Sequence, residues 1–208
     1  MREIVPGIFH WTTFHAPIRM RVSSYLVAPA GIVIDPKIPE DGLDALPVKP
    51  LQVVLTSGLH TRDSQAFAEA FDIPIRASRE GAERIGDALQ IEPYSDSDEV
   101  APGVTAIAIG ALCPDEGALH IAVAEGAIAF ADGLVGYGGA LGFVPDDLLG
   151  DDPAKVKTGL KQAYHGLLAR DFDHLLFAHG EPLVNGGRAA LRAFVTSPAG
   201  NEDFGNVP

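Results

Sequence analysis

Residues 51–63 read Leu-Gln-Val-Val-Leu-Thr-Ser-Gly-Leu-His-Thr-Arg-Asp, and this stretch decides the fold. The run 51–56 is apolar or β-branched apart from Gln52, the composition of a strand buried on both faces. A polar loop, 57–61, follows, and then a helix. Asp63 or Ser64 stands at its start, and Ala66, Phe67, Ala70 and Phe71 share one face at helical spacing. Pro74 closes that helix, residues 73–77 return as a strand, and Ser78 with Glu80 opens a second short helix that runs to Gly86. Strand, helix, strand and helix in succession mark layered α/β packing.

Outward from this unit the chain is strand-rich on both sides. Residues 4–11, 22–27 and 31–34 are short β-branched or apolar runs separated by Ala16-Pro17 and Ala28-Pro29-Ala30-Gly31, all strand and turn signals. Residues 103–110 alternate small apolar side chains, and 118–124 with 127–131 flank Glu125-Gly126, which predicts an antiparallel hairpin with a two-residue turn. The glycine-rich stretch 133–142 reads as a flexible flap. It lacks the strand–turn–helix setting and the Gly-x-Gly-x-x-Gly or Lys-Ser/Thr pattern of a phosphate cradle. Pro153 suits the first turn of a long helix over 153–170, residues 174–178 form a further buried strand, and 186–195 a last helix. The expectation is one domain over residues 1–195 with 87–101 as a surface connection, then a loosely held polar tail over 196–208. No short-period repeat occurs, which excludes a solenoid.

Composition narrows the partners. Fifteen Lys and Arg against 28 Asp and Glu leave a formal charge of −13, which speaks against a nucleic-acid partner and against an anionic membrane surface. An apolar fraction of 47% with 21% charged residues is that of a globular chain with a real core. Cys113 is the single cysteine, so no internal disulfide forms, and a reducing compartment fits. With no apolar signal region at the start and no apolar run of roughly 18 residues, the reading is an acidic cytoplasmic protein. It is a monomer or a homodimer that takes a small-molecule ligand, without nucleic acid or membrane.

Five predicted strands end on a residue capable of chemistry: Asp35 after Gly-Ile-Val-Ile, His60 and Asp63 in the loop after 51–56, Cys113 after 105–112, Asp132 after Ala-Ile-Ala-Phe-Ala, and His179 after His-Leu-Leu-Phe-Ala. Strand ends in α/β folds hold polar groups convergent on a rigid base. The fragments Val-Pro-Gly-Ile-Phe (5–9), Gly-Ile-Val-Ile-Asp (31–35), Val-Val-Leu-Thr (53–56), Ala-Phe-Ala-Asp-Gly (129–133) and Leu-Phe-Ala-His-Gly-Glu-Pro (176–182) occur in an order that resembles the metallo-β-lactamase superfamily. The resemblance covers about residues 6–195. It implies a four-layer αββα sandwich, of α+β or α/β class, and hydrolysis at one or two zinc or iron ions.

The resemblance also exposes a defect. The family writes Thr-His-x-His-x-Asp-His after this strand. Counted from Thr56, the ligand places hold Ser57, Leu59, Thr61 and Arg62, and neither leucine nor arginine offers a lone pair to a metal. A one-residue shift recovers His60 and places Asp63 at the last imidazole. The next family histidine is here Ala111. What remains at matched positions is Asp132, the bridging carboxylate of the family, and His179, a ligand of the second metal.

The expected ligands are therefore His60, Asp132 and His179, with Asp63 and Cys113 as substitutes, around one Zn or Fe ion. A dinuclear centre lacks the ligands, and a metal-free cleft stands as the alternative. Asp132 and Arg62 are the catalytic candidates, Arg62 as the loop's one strong cation toward an oxyanion, with Thr56 and Ser57 beside it. By the same resemblance Trp11, Phe14 and His15, on the first hairpin, contact a ligand at the mouth, and Asp35 braces the metal loop. Each has a plainer reading: Asp132-Gly133 as a turn, His179 as a loop histidine, Asp63 as a helix cap, Cys113 as a buried thiol, and the hairpin tip packed on its own body. Two functions follow, a slow mononuclear ester, thioester or phosphoester hydrolase and a non-catalytic binding or scaffold protein.

Overall fold

The computed structural model describes residues 1–197. One sheet holds seven strands in sequence order: β1 (Arg2–Val5), β2 (Ile8–His15), β3 (Met20–Val27), β4 (Ile32–Ile34), β5 (Gln52–Val54), β6 (Ile75–Ser78) and β7 (Ile91–Tyr94). The first four are antiparallel, and β4 to β7 run parallel. Helices α1 (Ser64–Phe71) and α2 (Arg79–Ile85) make the crossovers from β5 to β6 and from β6 to β7, and the long loop 35–51 with one 3-10 turn makes that from β4 to β5, as parallel strands require. A second sheet has five strands, from β8 (Glu99–Ala101), β9 (Val104–Ala108), β10 (Gly117–Ile121) and β11 (Ala127–Phe130) to β14 (His174–Phe177), which joins β11 in parallel. Between β11 and β14 the chain forms a small hairpin, β12 (Val135–Tyr137) with β13 (Ala140–Gly142), and helix α3 (Pro153–Leu167). Helix α4 (Gly187–Thr196) follows β14.

The strands' period of two builds the layers. Ile32, Ile34 and Val54 face Leu119, Ile121, Ala127, Ala129 and Leu176 in one core between the sheets. Their chain neighbours Val33, Val53 and Leu55 point the other way, onto Phe67 of α1. On the second sheet Ile128, Phe130, Leu175 and Phe177 turn outward onto Leu160, Tyr164 and Leu191 of α3 and α4. The order is thus helices, sheet, sheet, helices: the αββα sandwich expected from the sequence. The central strands β4 and β11 are hydrophobic in every position because both their faces are covered.

Several local expectations change. Residues 4–11 form parts of two strands, because Pro6-Gly7 makes a turn in which Gly7 adopts φ +83°. The connection over 87–101 contains β7 and β8, each the edge of its sheet. Pro93 in β7 lacks a donor, which masks a strand in sequence and is tolerated at an edge. The β10–β11 loop spans 122–126 rather than two residues, with Ala124 and Gly126 both at positive φ. Packing sets it, since a Cβ on Gly126 would lie 2.6 Å from the Asp171 carbonyl. The glycine-rich flap is the packed hairpin β12–β13. Leu134 and Val135 are buried, and Gly136 lies so close to the Phe177 ring that a Cβ would sit 2.4 Å from it. Most of the expected tail, residues 198–208, falls outside the described residues. Among those described, no helix is long and apolar enough to cross a membrane.

Candidate metal centre

The site forms where the strands of both sheets end. Asp35 follows β4 at φ +45° and is 3% exposed. Its carboxylate accepts the Thr56 amide (2.8 Å), the Thr56 hydroxyl and Nδ1 of His60 (2.9 Å). Thr56 lies just beyond β5, the parallel neighbour of β4, so the pairing of two short strands puts the brace beside the loop it braces. The sequence expectation for Asp35 is realised in these bonds. His60 turns its other nitrogen outward, and Nε2 lies 3.0 Å from Oδ1 of Asp132.

Asp132 and His179 meet because of register. Phe130 of β11 pairs with Phe177 of β14 in parallel, so the residues two places further on, Asp132 and His179, leave the sheet side by side. Nε2 of His179 is 3.1 Å from the same Oδ1. One donor atom from each of His60, Asp132 and His179 lies within 4.8 Å of the other two. The two imidazoles meet edge to face with centroids 5.9 Å apart. Cross-sheet bonds close this end of the sandwich: the Gly117 amide donates to the Thr56 carbonyl, Ser23 to Ala178, and the Tyr25 hydroxyl to Phe177.

With hydrogen bonds to a carboxylate at each nitrogen, His60 is held as an imidazolium. Burial opposes that charge, but Asp132 and Asp35 raise its pKa from 6.5 to about 9. Burial likewise works against the Asp132 carboxylate, yet the His60 charge and the bonds from both imidazoles hold it well below the usual carboxylate range. Asp35 is also lowered, by His60, Arg62 and Thr56 against its burial. Nδ1 of His179 is buried with no hydrogen-bond partner, so Asp132 and the edge of the His60 ring are the contacts that orient it.

The other predicted residues are placed as follows. Arg62, at φ +40°, is engaged by the backbone, and its Nη1 donates to the Ser23 and Asp35 carbonyls at 2.6 and 2.7 Å. Asp63 stands apart from the triad. It accepts from Nζ of Lys37 and from the Ile38 amide, both at 2.8 Å, and its side chain does not cap α1. Cys113 is also outside the cluster, and burial with the neighbouring Asp115 pushes its thiol up to about 12. Trp11 is 4% exposed and packs in the core under α1, with Nε1 on the Lys37 carbonyl. Phe14 is exposed at the hairpin tip, and His15 has a buried, unpartnered Nδ1 within electrostatic range of Arg62 and His179. Thr56 and Ser57 are buried and engaged with Asp35 and Asp115.

Two residues that sequence reasoning passed over support the site. Asp115 accepts the Gly58 amide (2.8 Å) and the Ser57 hydroxyl and pairs with Arg84, which pins the 57–61 loop. Glu116 accepts the amides of Leu112 and Gly133, the latter next to Asp132, and burial lifts its carboxyl to about 7. Two acidic residues adjoining the apolar strand 117–121 were the available signal. Both are under 4% exposed, and carboxylates are seldom buried without a partner.

Two imidazoles and a carboxylate form a donor set suited to zinc or iron. Both Nε2 atoms lie about 3 Å from Oδ1, the separation that bonds near 2 Å to a shared ion impose, and all three donor atoms lie within 4.8 Å of one another. His60 has the carboxylate–imidazole backing typical of metal-bound histidine.

No protein-family profile and no curated protein matches the chain. Solved structures do. A metallo-β-lactamase from Erythrobacter litoralis, with β-mercaptoethanol in its active site, superposes with TM-score 0.65 at 14% identity over 93% of this chain and 94% of that one. A Cronobacter sakazakii metallo-β-lactamase described by a HARLDQ motif gives 0.58 at 18% identity over 92% and 88%. A flavo di-iron protein of Thermotoga maritima gives 0.61 at 15% identity, over 94% of this chain but only 61% of its own. Together with the layer order and the strand-end cleft, these likenesses show that the chain has the metallo-β-lactamase fold.

Proposed function

We propose that this protein is a mononuclear metal-dependent hydrolase of small ester, thioester or phosphoester substrates, with most of the ligands of a two-ion centre replaced. The observation that carries the reading is the convergence of His60, Asp132 and His179 within 4.8 Å, on strand ends, with Asp35 behind His60. These three residues would hold one zinc or iron ion. Such an ion supplies Lewis acidity and lowers the pKa of water toward neutrality. The chain's own part is to bind and orient. Asp35 keeps the His60 proton on Nδ1 and leaves Nε2 for coordination. Glu116 fixes the Asp132-Gly133 turn through the Gly133 amide, and the exposed Phe14 stands at the hairpin tip as an apolar contact for a small-molecule ligand.

A second reading, a non-catalytic binding protein on the same fold, is favoured by one observation: the three side chains satisfy one another without an ion, Asp132 accepting from both imidazoles. Metal content separates the two. Protein purified without chelator and dialysed against zinc or ferrous iron is expected to hold about one equivalent by elemental analysis, and His179→Ala to lose it. No retained metal under either condition would leave only the second reading.

A further inference from the structure

His60 and Asp132 come from different sheets, and their separation depends on whatever touches both loops. His60 lies in the loop after β5 and Asp132 in the turn after β11. The start of β10 reaches both. Ala118 pairs with Phe130 in antiparallel register, so Gly117 stands opposite Ala131 and Glu116 opposite Asp132. The Gly117 amide donates to the Thr56 carbonyl at 2.9 Å, and its carbonyl accepts the Ala131 amide at 3.3 Å. The two side chains before it diverge. Asp115 turns to the His60 loop: Oδ2 accepts the Gly58 amide at 2.8 Å and the Ser57 hydroxyl at 3.1 Å, and Oδ1 receives Nε of Arg84 at 2.8 Å. Glu116 turns to the Asp132 turn, where Oε1 accepts the Gly133 amide at 2.9 Å, while Oε2 accepts the Leu112 amide at 3.0 Å. A Cβ on Gly133 would lie 2.3 Å from Oε1, so this contact is open to glycine alone. Asp115 and Glu116 are 2% and 3% exposed, and amide–carboxylate bonds are short and directional.

We propose that Asp115 and Glu116 are the positioning pair of the cleft: two neighbouring carboxyl groups, one bonded to the loop before His60 and the other to the amide after Asp132, fix the 3.0 Å spacing of those two side chains without an ion. Neither is a ligand candidate, and both act through the backbone of the ligand loops. The physical reason is covalent. A single planar peptide unit joins the two residues, so the distance between the loops they hold follows from bond geometry and not from the stacking of the sheets alone. The spacing is independent of any metal; its consequence for zinc rests on the mononuclear reading above.

Histidine ring N–H signals, read by NMR from the full ¹⁵N-labelled chain in excess chelator, test the spacing. The parent is expected to show two downfield signals from His60, one for Nδ1–H on Asp35 and one for Nε2–H on Asp132. The Asp35 bond lies within the first sheet and serves as an internal reference. Asp115→Ala and Glu116→Gln are expected to broaden or remove the Nε2–H signal and to keep the Nδ1–H signal. Glutamine has the right shape but turns an NH2 group toward one of two amide donors. Should Asp115→Ala fail to fold, Asp115→Asn replaces it on the same logic. Leu191→Ala, at a buried position of α4 remote from the triad's loops, controls for general destabilisation and is expected to keep both signals. Signals unchanged in either variant, lost from both nitrogens alike, or lost equally in the control would overturn the proposal. So would a parent without the Nε2–H signal. Zinc titration reads the consequence: each variant is expected to bind about tenfold more weakly than the parent, and equal affinity would refute a role in the metal site. If neither parent nor variants bind zinc while the NMR difference stands, the hydrolase reading fails and the positioning pair remains.

Discussion

At the scale of single residues the cleft is governed by who holds which proton. His60 stands between two carboxylates and titrates near 9 rather than 6.5. A group whose pKa is raised by folding adds stability that is complete below its unfolded value and disappears as pH rises through the folded one. Asp35 and Asp132 are lowered, so their contribution is present above the ordinary carboxylate range and is lost on acidification. The contribution of these three groups in the metal-free protein is therefore expected to be greatest between about pH 5 and 6.5 and to fall from 6.5 to about 9. His60→Gln is expected to remove that alkaline decline. Urea midpoints measured across the range check this, and a flat profile for the parent above pH 6.5 refutes it. An ion that uses Nε2 must displace its proton, so zinc affinity should climb with pH over the same interval.

The elements place these residues through close approaches that only glycine permits. Gly180, directly after His179, has φ +94°, and a Cβ there would lie 2.1 Å from the Gly136 carbonyl on β12. The Glu181 amide donates to that same carbonyl at 2.9 Å. The β12–β13 hairpin thus clamps the backbone segment that carries His179. Gly180→Ala must move one of two backbones and adopt a strained φ. It is expected to cost about 2–4 kcal/mol by denaturant unfolding and to weaken zinc binding with it. An unchanged midpoint would show that the clamp is slack. Gly136 belongs to the stretch that the sequence alone reads as a flexible flap, because composition does not separate glycine used for freedom from glycine used for contact.

The whole molecule contributes the convergence itself. Thr56 and His60 come from the first sheet, Asp132 and His179 from the second, and the site exists only while the sheets stay stacked. Leu119 and Leu176, both 0% exposed, fill the core between the sheets. Leu119→Ala leaves a cavity there and is expected to cost about 2–5 kcal/mol, read from urea unfolding. A loss under about 1 kcal/mol would mean that the layers collapse around the gap.

The sequence by itself determined the layered class and named His60, Asp132 and His179, the three side chains that the fold brings together. Apolar runs, helix caps and turn residues are local signals, and strand ends are where such a fold carries its polar groups. It also showed that Arg62 and Leu59 cannot serve as ligands, which is a matter of side-chain chemistry alone. Tertiary structure decided everything that depends on partners distant in the chain. Trp11 is core because α1 and residues 37–38 cover it, and Asp63 is spent on Lys37 and Ile38 rather than on α1. Glu116 is buried because the Gly133 amide, 17 residues away, needs an acceptor. Arg62 turns inward because carbonyls 39 and 27 residues distant receive it. Hydrogen bonds and desolvation act over a few ångströms of space, whatever the separation along the chain, and that is why those assignments had to wait for the fold.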